Sequence, residues 1–124
     1  MASSIEARGG LVYGWDLGET GWKSGMDSNL LKISRLCIGG LSVKSRSLTA
    51  PPSTFAEGDA YIVGGTPTGD WASSSVGAVE DDVVVYDGAD WVAYTPIIGW
   101  QAYVIAEEKI TVFKAAGWSA GVAI

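Results

Sequence analysis

From about residue 41 onward, turn chemistry interrupts the chain every 8 to 12 residues or so, which leaves no room for a helix of ordinary length. Gly64-Gly65-Thr66-Pro67-Thr68-Gly69, Asp87-Gly88-Ala89-Asp90, Thr95-Pro96-Ile97-Ile98-Gly99 and Ala115-Ala116-Gly117 each hold residues that accept positive φ or fix a bend. Short runs rich in β-branched and aromatic residues lie between them, at 41–48, 60–64, 82–86, 91–94, 101–105, 110–113 and 118–122. The fold class is therefore mainly β: a small antiparallel β-sandwich or barrel, preceded by an extended N-terminal arm and one amphipathic helix.

The arm is residues 1–21, where Gly9, Gly10, Gly14, Gly18 and Gly21 alternate with Leu11, Val12, Tyr13 and Trp15 in neither a helical nor a strand period. Such a segment gains little on its own domain's surface, so Leu11, Tyr13, Trp15 and Trp22 are candidates for anchoring it to another subunit. In the helix that follows, Trp22, Met26, Leu30, Ile33, Cys37 and Leu41 recur at steps of three and four and form one stripe. Ser24 or Asp27 is its expected N-cap and Gly39-Gly40 its expected stop. Met26, Leu30, Ile33 and Cys37 are the oligomerisation candidates, because a lone helix of this length needs a partner for its stripe.

Val83-Val84-Val85-Tyr86 with Trp91 is echoed 27 residues on by Ile110-Thr111-Val112-Phe113 with Trp118. Each reads as a hairpin whose two rings pair across the turn and fix the register.

Charge divides the chain. Residues 1–50 carry six bases against four acids, and residues 51–124 two bases against ten acids, for a net −6. With Pro51-Pro52 at the changeover, the organisation reads as an arm (1–21), an anchoring helix with a connecting strand (22–50) and an acidic antiparallel β domain (51–124). The negative balance opposes nonspecific nucleic-acid binding, and no apolar run has the length a membrane helix needs.

The chain contains no histidine, which removes the commonest general base, nucleophile activator and zinc ligand. No catalytic residue, metal ligand or cofactor is expected, and the chain is read as a non-enzyme. Glu80-Asp81-Asp82 could bind calcium only if its carboxylates converged, which consecutive positions on a strand prevent by pointing to opposite faces, so it is read, like Glu107-Glu108, as a solvated turn. Six tryptophans admit one more role: Trp71, Trp91, Trp100 and Trp118, with Tyr94 and Tyr103, could be platforms for the apolar face of a sugar, and Trp71, Tyr94 and Trp100 are the candidates taken forward.

Gly21-Trp22-Lys23-Ser24-Gly25-Met26-Asp27-Ser28-Asn29-Leu30-Leu31 opens a series of spaced motifs. Ala50-Pro51-Pro52, Glu57-Gly58-Asp59-Ala60-Tyr61-Ile62-Val63-Gly64, Thr68-Gly69-Asp70-Trp71, Asp87-Gly88-Ala89-Asp90-Trp91, Pro96, Gly99-Trp100 and Trp118 follow in order. In this order the chain resembles a virion domain-of-unknown-function family found in tail-fibre, spike and neck proteins of tailed phages, prophages and gene transfer agents. Asp27 stands where that family has Asn, and Lys114 to Gly117 replace an Asp-Gly turn. The resemblance implies a setting without catalytic residues. The expectation is a structural virion protein, assembled in the host cytoplasm, that forms a homotrimer as in similar phage fibres. It would attach by arm and helix to other virion proteins of neck, tail or baseplate and project its β domain. A carbohydrate-binding host-recognition module reading a surface glycan, or a capsid decoration protein, is the alternative.

Overall fold

Glycine-rich loops fold back when a nearby acceptor satisfies their backbone donors. That is what the arm does in the computed structural model, which describes residues 3–37 and 40–124. β1 (Ser4–Ile5) pairs antiparallel with β2 (Val12–Tyr13), Ser4 opposite Tyr13 and Ile5 opposite Val12. Glu6 closes the turn between them. Its backbone bonds Leu11 and Gly10, and its carboxylate accepts the N–H groups of Gly9 and Arg8. Those donors hold the Glu6 carboxyl below the usual carboxylate range. The arm expected to run extended is thus a short hairpin.

α1 (Trp22–Leu36) begins after Gly21 with no side-chain cap, one to two turns before Ser24 or Asp27 would start it. Asp27 is instead inside the helix, in an i,i+4 ion pair with Lys23 at 2.7 Å. Cys37 is the C-cap, its N–H donating to the Ile33 carbonyl at 2.9 Å. Gly39, half of the expected stop, lies outside the described residues. Leu41 does not extend the stripe: it is off the helix and buried among the residues that follow.

The hairpin lies on its own helix. Asn29, buried on α1, donates from Nδ2 to the Val12 carbonyl and accepts the Val12 N–H at Oδ1, both at 2.8 Å. One side-chain amide thus does for Val12 what a neighbouring strand would do. Lys32 Nζ donates to the Gly10 carbonyl at 3.2 Å. A Cβ on Gly25 would stand 2.6 Å from Trp15 Cζ2, so the glycine that weakens the helix is also what lets the ring approach. Gly25→Ala is expected to gain about 1 kcal/mol of helix propensity while displacing Trp15. Trypsin should then cleave faster after Arg8 with the far-ultraviolet helical signal retained; an unchanged cleavage rate would show that the ring moves aside freely.

The chain divides into two compact units, residues 1–39 and 40–124. In the second, β3 (Ser42–Val43) pairs with β7 (Gln101–Val104), and β7 with β8 (Lys109–Lys114). β8 also pairs with β9 (Gly117–Trp118) and β10 (Val122–Ala123). A second sheet has the order β4 (Ala60–Ile62), β5 (Val83–Tyr86), β6 (Trp91–Tyr94). Each of the seven expected strands has a counterpart in this mainly β unit. The departures are the parallel pairing of β3 with β7, the division of 118–122 between β9 and β10, and the shortening of 41–48 to two residues.

That shortening has a clear cause. After Val43 the chain leaves β7 and runs along β4 instead: Lys44 N–H donates to the Ala60 carbonyl, Ile62 N–H to Ser45 and Gly64 N–H to Leu48, at 2.8 to 3.1 Å. One segment therefore serves both sheets. A Cβ on Gly64 would meet the Arg46 carbonyl oxygen at 2.5 Å, so this crossing requires glycine at 64.

β5 is buried on both faces. Val84 packs with Tyr61, Val63, Trp71, Ala78 and Trp91 in one cluster, while Val83 and Val85 point to the other side with Ala60 and Ile62. The two expected ring clasps form: Tyr86 faces Trp91 and Phe113 faces Trp118, each with centroids 5.3 Å apart.

Arg46 ties the ends of this unit together. Its Nε and Nη2 donate to the two Glu107 oxygens at 2.9 Å. Nη1 reaches the Ser119 carbonyl (2.6 Å) and Thr111 Oγ1 (3.2 Å), and Nη2 the Ala120 carbonyl (2.7 Å). All five guanidinium donors have acceptors.

Candidate functional site

Two surfaces present chemistry that the folds of the two units do not consume. The first is the apolar stripe of α1. The arm covers the face bearing Gly25, Asn29 and Lys32, and the stripe is the adjacent face. Trp22 is left 49% exposed, Met26 38% and Leu30 58%. Ile33 is half-buried and Cys37 exposed. Of the arm candidates, Leu11 and Trp15 are half-buried against their own unit, whereas Tyr13 and Trp22 are open to solvent. Ile5 and Leu17 are also exposed.

The charge follows the units. Residues 1–39 hold four bases (Arg8, Lys23, Lys32, Arg35) and four acids (Glu6, Asp16, Glu19, Asp27) and are neutral; residues 40–124 hold four bases and ten acids, the whole of the −6. The boundary drawn from sequence at Pro51 had credited Lys44 and Arg46 to the anchor.

The second surface is a cleft of about 290 Å³ lined by Phe55, Asp70, Ser73, Ser75, Val76, Tyr86, Ala89, Asp90 and Trp91. Phe55, Tyr86 and Trp91 form its aromatic wall, with centroids 4.7 to 5.3 Å apart. Of the rings weighed from sequence Trp91 lines the cleft, but the three taken forward are elsewhere. Trp71 is 0% exposed and packs T-shaped on Trp91 at 5.5 Å, so it has no face to offer a sugar, because a unit of this size fills its core with its largest side chain. Tyr94 and Trp100 are half-buried and do not line the cleft. The signal overlooked in the sequence is a dipeptide, Asp-Trp, which occurs at 70–71 and again at 90–91. The two tryptophans pair in the core, and their preceding aspartates emerge at the same cleft.

The acidic runs are only partly solvated turns. Glu80 is exposed, but Asp82 is buried, with Oδ2 accepting the Val79 N–H at 3.1 Å and Oδ1 without a partner among the described residues. Asp81 sits at φ 76° and its carbonyl accepts the Trp118 indole N–H at 2.9 Å. Burial pushes the carboxyl groups of both Asp81 and Asp82 above the usual range. Glu107, far from being an idle turn residue, is held below that range by its hydrogen bonds to Arg46.

These shifts have opposite consequences. Asp81 and Asp82 bind protons more tightly folded than unfolded, so stability grows as the pH falls through their raised values toward their ordinary 3.8. The contribution of Glu107 is present above its ordinary 4.5 and is lost as the pH falls through its lowered value. Thermal unfolding is expected to show maximum stability in mild acid. Asp82→Asn should flatten the limb above the maximum, and Glu107→Gln the limb below it; a wild-type profile rising monotonically to neutrality would contradict this.

Among comparisons with known proteins, residues 29–119 match a family model described as "Protein of unknown function (DUF2793)". The matched span includes Asn29 and all the cleft residues and omits the arm. No curated protein and no solved structure matches the chain.

Proposed function

The chain belongs to the DUF2793 family, and from that premise we propose that it is a structural subunit of a tailed-phage particle: a small fibre, spike or adaptor protein that assembles through its N-terminal unit and presents its sheet unit. It acts without catalysis or cofactor. Its partners are two further copies of itself and the neck, tail or baseplate proteins to which the N-terminal unit attaches, within a virion put together in the host cytoplasm.

The observation that carries this reading is the exposed stripe of Trp22, Met26 and Leu30 on the chain's α-helix. Covering three half-exposed side chains recovers about 1 kcal/mol each. Association costs at least about 4 kcal/mol in lost freedom, so the stripe needs further apolar surface. Ile5, Tyr13 and Leu17 are further exposed apolar side chains of the same unit, Ile5 and Tyr13 on opposite faces of the hairpin. The charge distribution supports the same arrangement. A neutral unit meets its copies without repulsion, while six net negative charges on the sheet unit disfavour association there.

Sedimentation velocity on the full chain tests the proposal. A trimer is expected for the wild type and a monomer for Met26→Glu with Leu30→Glu. In a parallel bundle the exposed Cys37 thiols meet at one level, so mild oxidation should give disulfide-linked dimers from the wild type and none from the variant. A wild-type chain that sediments as a monomer at micromolar concentration removes the proposal.

A further inference from the structure

We propose that the cleft beside Phe55 and Trp91 is a binding site for a neutral saccharide ring, held by Asp70 and Asp90 against the aromatic wall. The inference stands on the sheet unit alone and does not depend on how the chain assembles.

Its polar groups are biased toward acceptors. The carboxylates of Asp70 and Asp90 accept no hydrogen bond among the described residues. This contrasts with Asp87 in the same hairpin, whose Oδ1 accepts the N–H groups of Ala89 and Asp90 at 2.9 and 2.8 Å and holds the turn. The Ser73 hydroxyl already donates to the Asp70 carbonyl at 2.8 Å and accepts from the Ser75 hydroxyl at 3.2 Å, and the Tyr86 hydroxyl donates to Gly88 at 3.2 Å, so each keeps a lone pair for whatever enters. A site of acceptors calls for a ligand rich in donors. Among the described residues no lysine or arginine lines the cleft, which disfavours phosphate, sulfate and carboxylated sugars.

The wall supplies the apolar half of the recognition. Phe55 is 37% exposed and Tyr86 is half-buried, with Trp91 nearly covered behind them. Ring surface next to acceptors matches a pyranose, whose axial C–H groups form an apolar face bordered by hydroxyls. A quaternary ammonium would need ring faces arranged as a cage, whereas here Phe55 meets Tyr86 edge-on, at 73°. The volume, about 290 Å³, lies at the lower end for ligand sites and suits one or two sugar rings.

The pair of Asp-Trp dipeptides explains how two distant segments build one site. Trp71 comes from the 3-10 helix Gly69–Ala72 and Trp91 from the start of β6. Their contact at 5.5 Å fixes both backbones, and each preceding residue is thereby delivered to the same rim. Two like charges at one rim without internal partners do nothing for folding.

Ligand-observed saturation-transfer NMR on the full chain tests the assignment. The probes are neutral oligosaccharides containing glucose, galactose, mannose, rhamnose or N-acetylglucosamine, with sialyllactose, a heparin disaccharide, choline and calcium chloride as contrasts. At least one neutral probe should bind and be recovered intact. Asp70→Ala, Asp90→Ala and Phe55→Ala should each weaken it tenfold or more, Trp100→Ala should not, and both aspartate variants should keep the wild-type melting temperature. No signal from any neutral probe, binding that survives the double aspartate variant, or binding confined to a charged probe would overturn the proposal. Met26→Glu with Leu30→Glu should bind as the wild type does, so a failure here is distinct from a failure of the assembly reading.

Discussion

Replacing Trp71 by alanine is expected to destabilise the sheet unit by about 3–5 kcal/mol, the range for emptying a large aromatic site in a core. Trp71 is fully buried and touches Tyr61 and Trp91 with centroids 5.8 and 5.5 Å away. The 3-10 helix Gly69–Ala72 that carries it is bonded in place, which opposes its collapse into the space. Thr68 N–H donates to the Thr49 carbonyl at 2.9 Å and Ala78 N–H to the Trp71 carbonyl at 3.3 Å. Small domains hold about 5–15 kcal/mol in total, so the variant should unfold at far lower denaturant concentration, with loss of near-ultraviolet circular dichroism from the three-ring cluster. Trp100→Ala, at a half-buried position outside that cluster, is the matched control and should lose much less. Equal losses from the two variants would show that the core is not centred on Trp71.

Arg46→Ala should cost about 3 kcal/mol, because it strands several acceptors at once. The guanidinium serves both Glu107 oxygens, the carbonyls of Ser119 and Ala120, and the hydroxyl of fully buried Thr111. Arg46→Lys should recover less than half of the loss, since an ammonium supplies charge but lacks the planar fork. Amide hydrogen exchange is the telling readout. Protection should fall first in residues 117–124, which Arg46 holds by the Ser119 and Ala120 carbonyls. If exchange there is unaltered while stability drops, the Arg46–Glu107 pair matters and the carbonyl contacts do not.

Some of this molecule is legible residue by residue. Tyr86 with Trp91 and Phe113 with Trp118 announce two hairpins, and both ring pairs form at 5.3 Å, because a turn residue pair and its flanking aromatics are local in sequence. The strand at 91–94 is read to its ends for the same reason. Where a residue's partner is distant, the reading fails. Asn29 looks like an ordinary polar helix position until Val12 lies against it. Residues 41–48 look like one strand, since the alternation does not say that the segment changes sheets at Lys44. Trp71 and Trp100 both follow a turn glycine within two residues, yet one is core and the other half-buried.

The chain by itself determined the mainly β character, the one helix and its apolar stripe, the positions of the turns and the excess of negative charge toward the C-terminus. Each depends on periodicity, turn propensity or counting, which act over a few residues and survive without a partner. Tertiary structure alone decided which face of α1 the arm would cover, which rings would enter the core, and that Asp70 and Asp90 would share a cleft. Those outcomes depend on contacts between segments far apart in the chain. Their strength is set by burial and shape complementarity, and neither quantity exists until the chain has closed on itself.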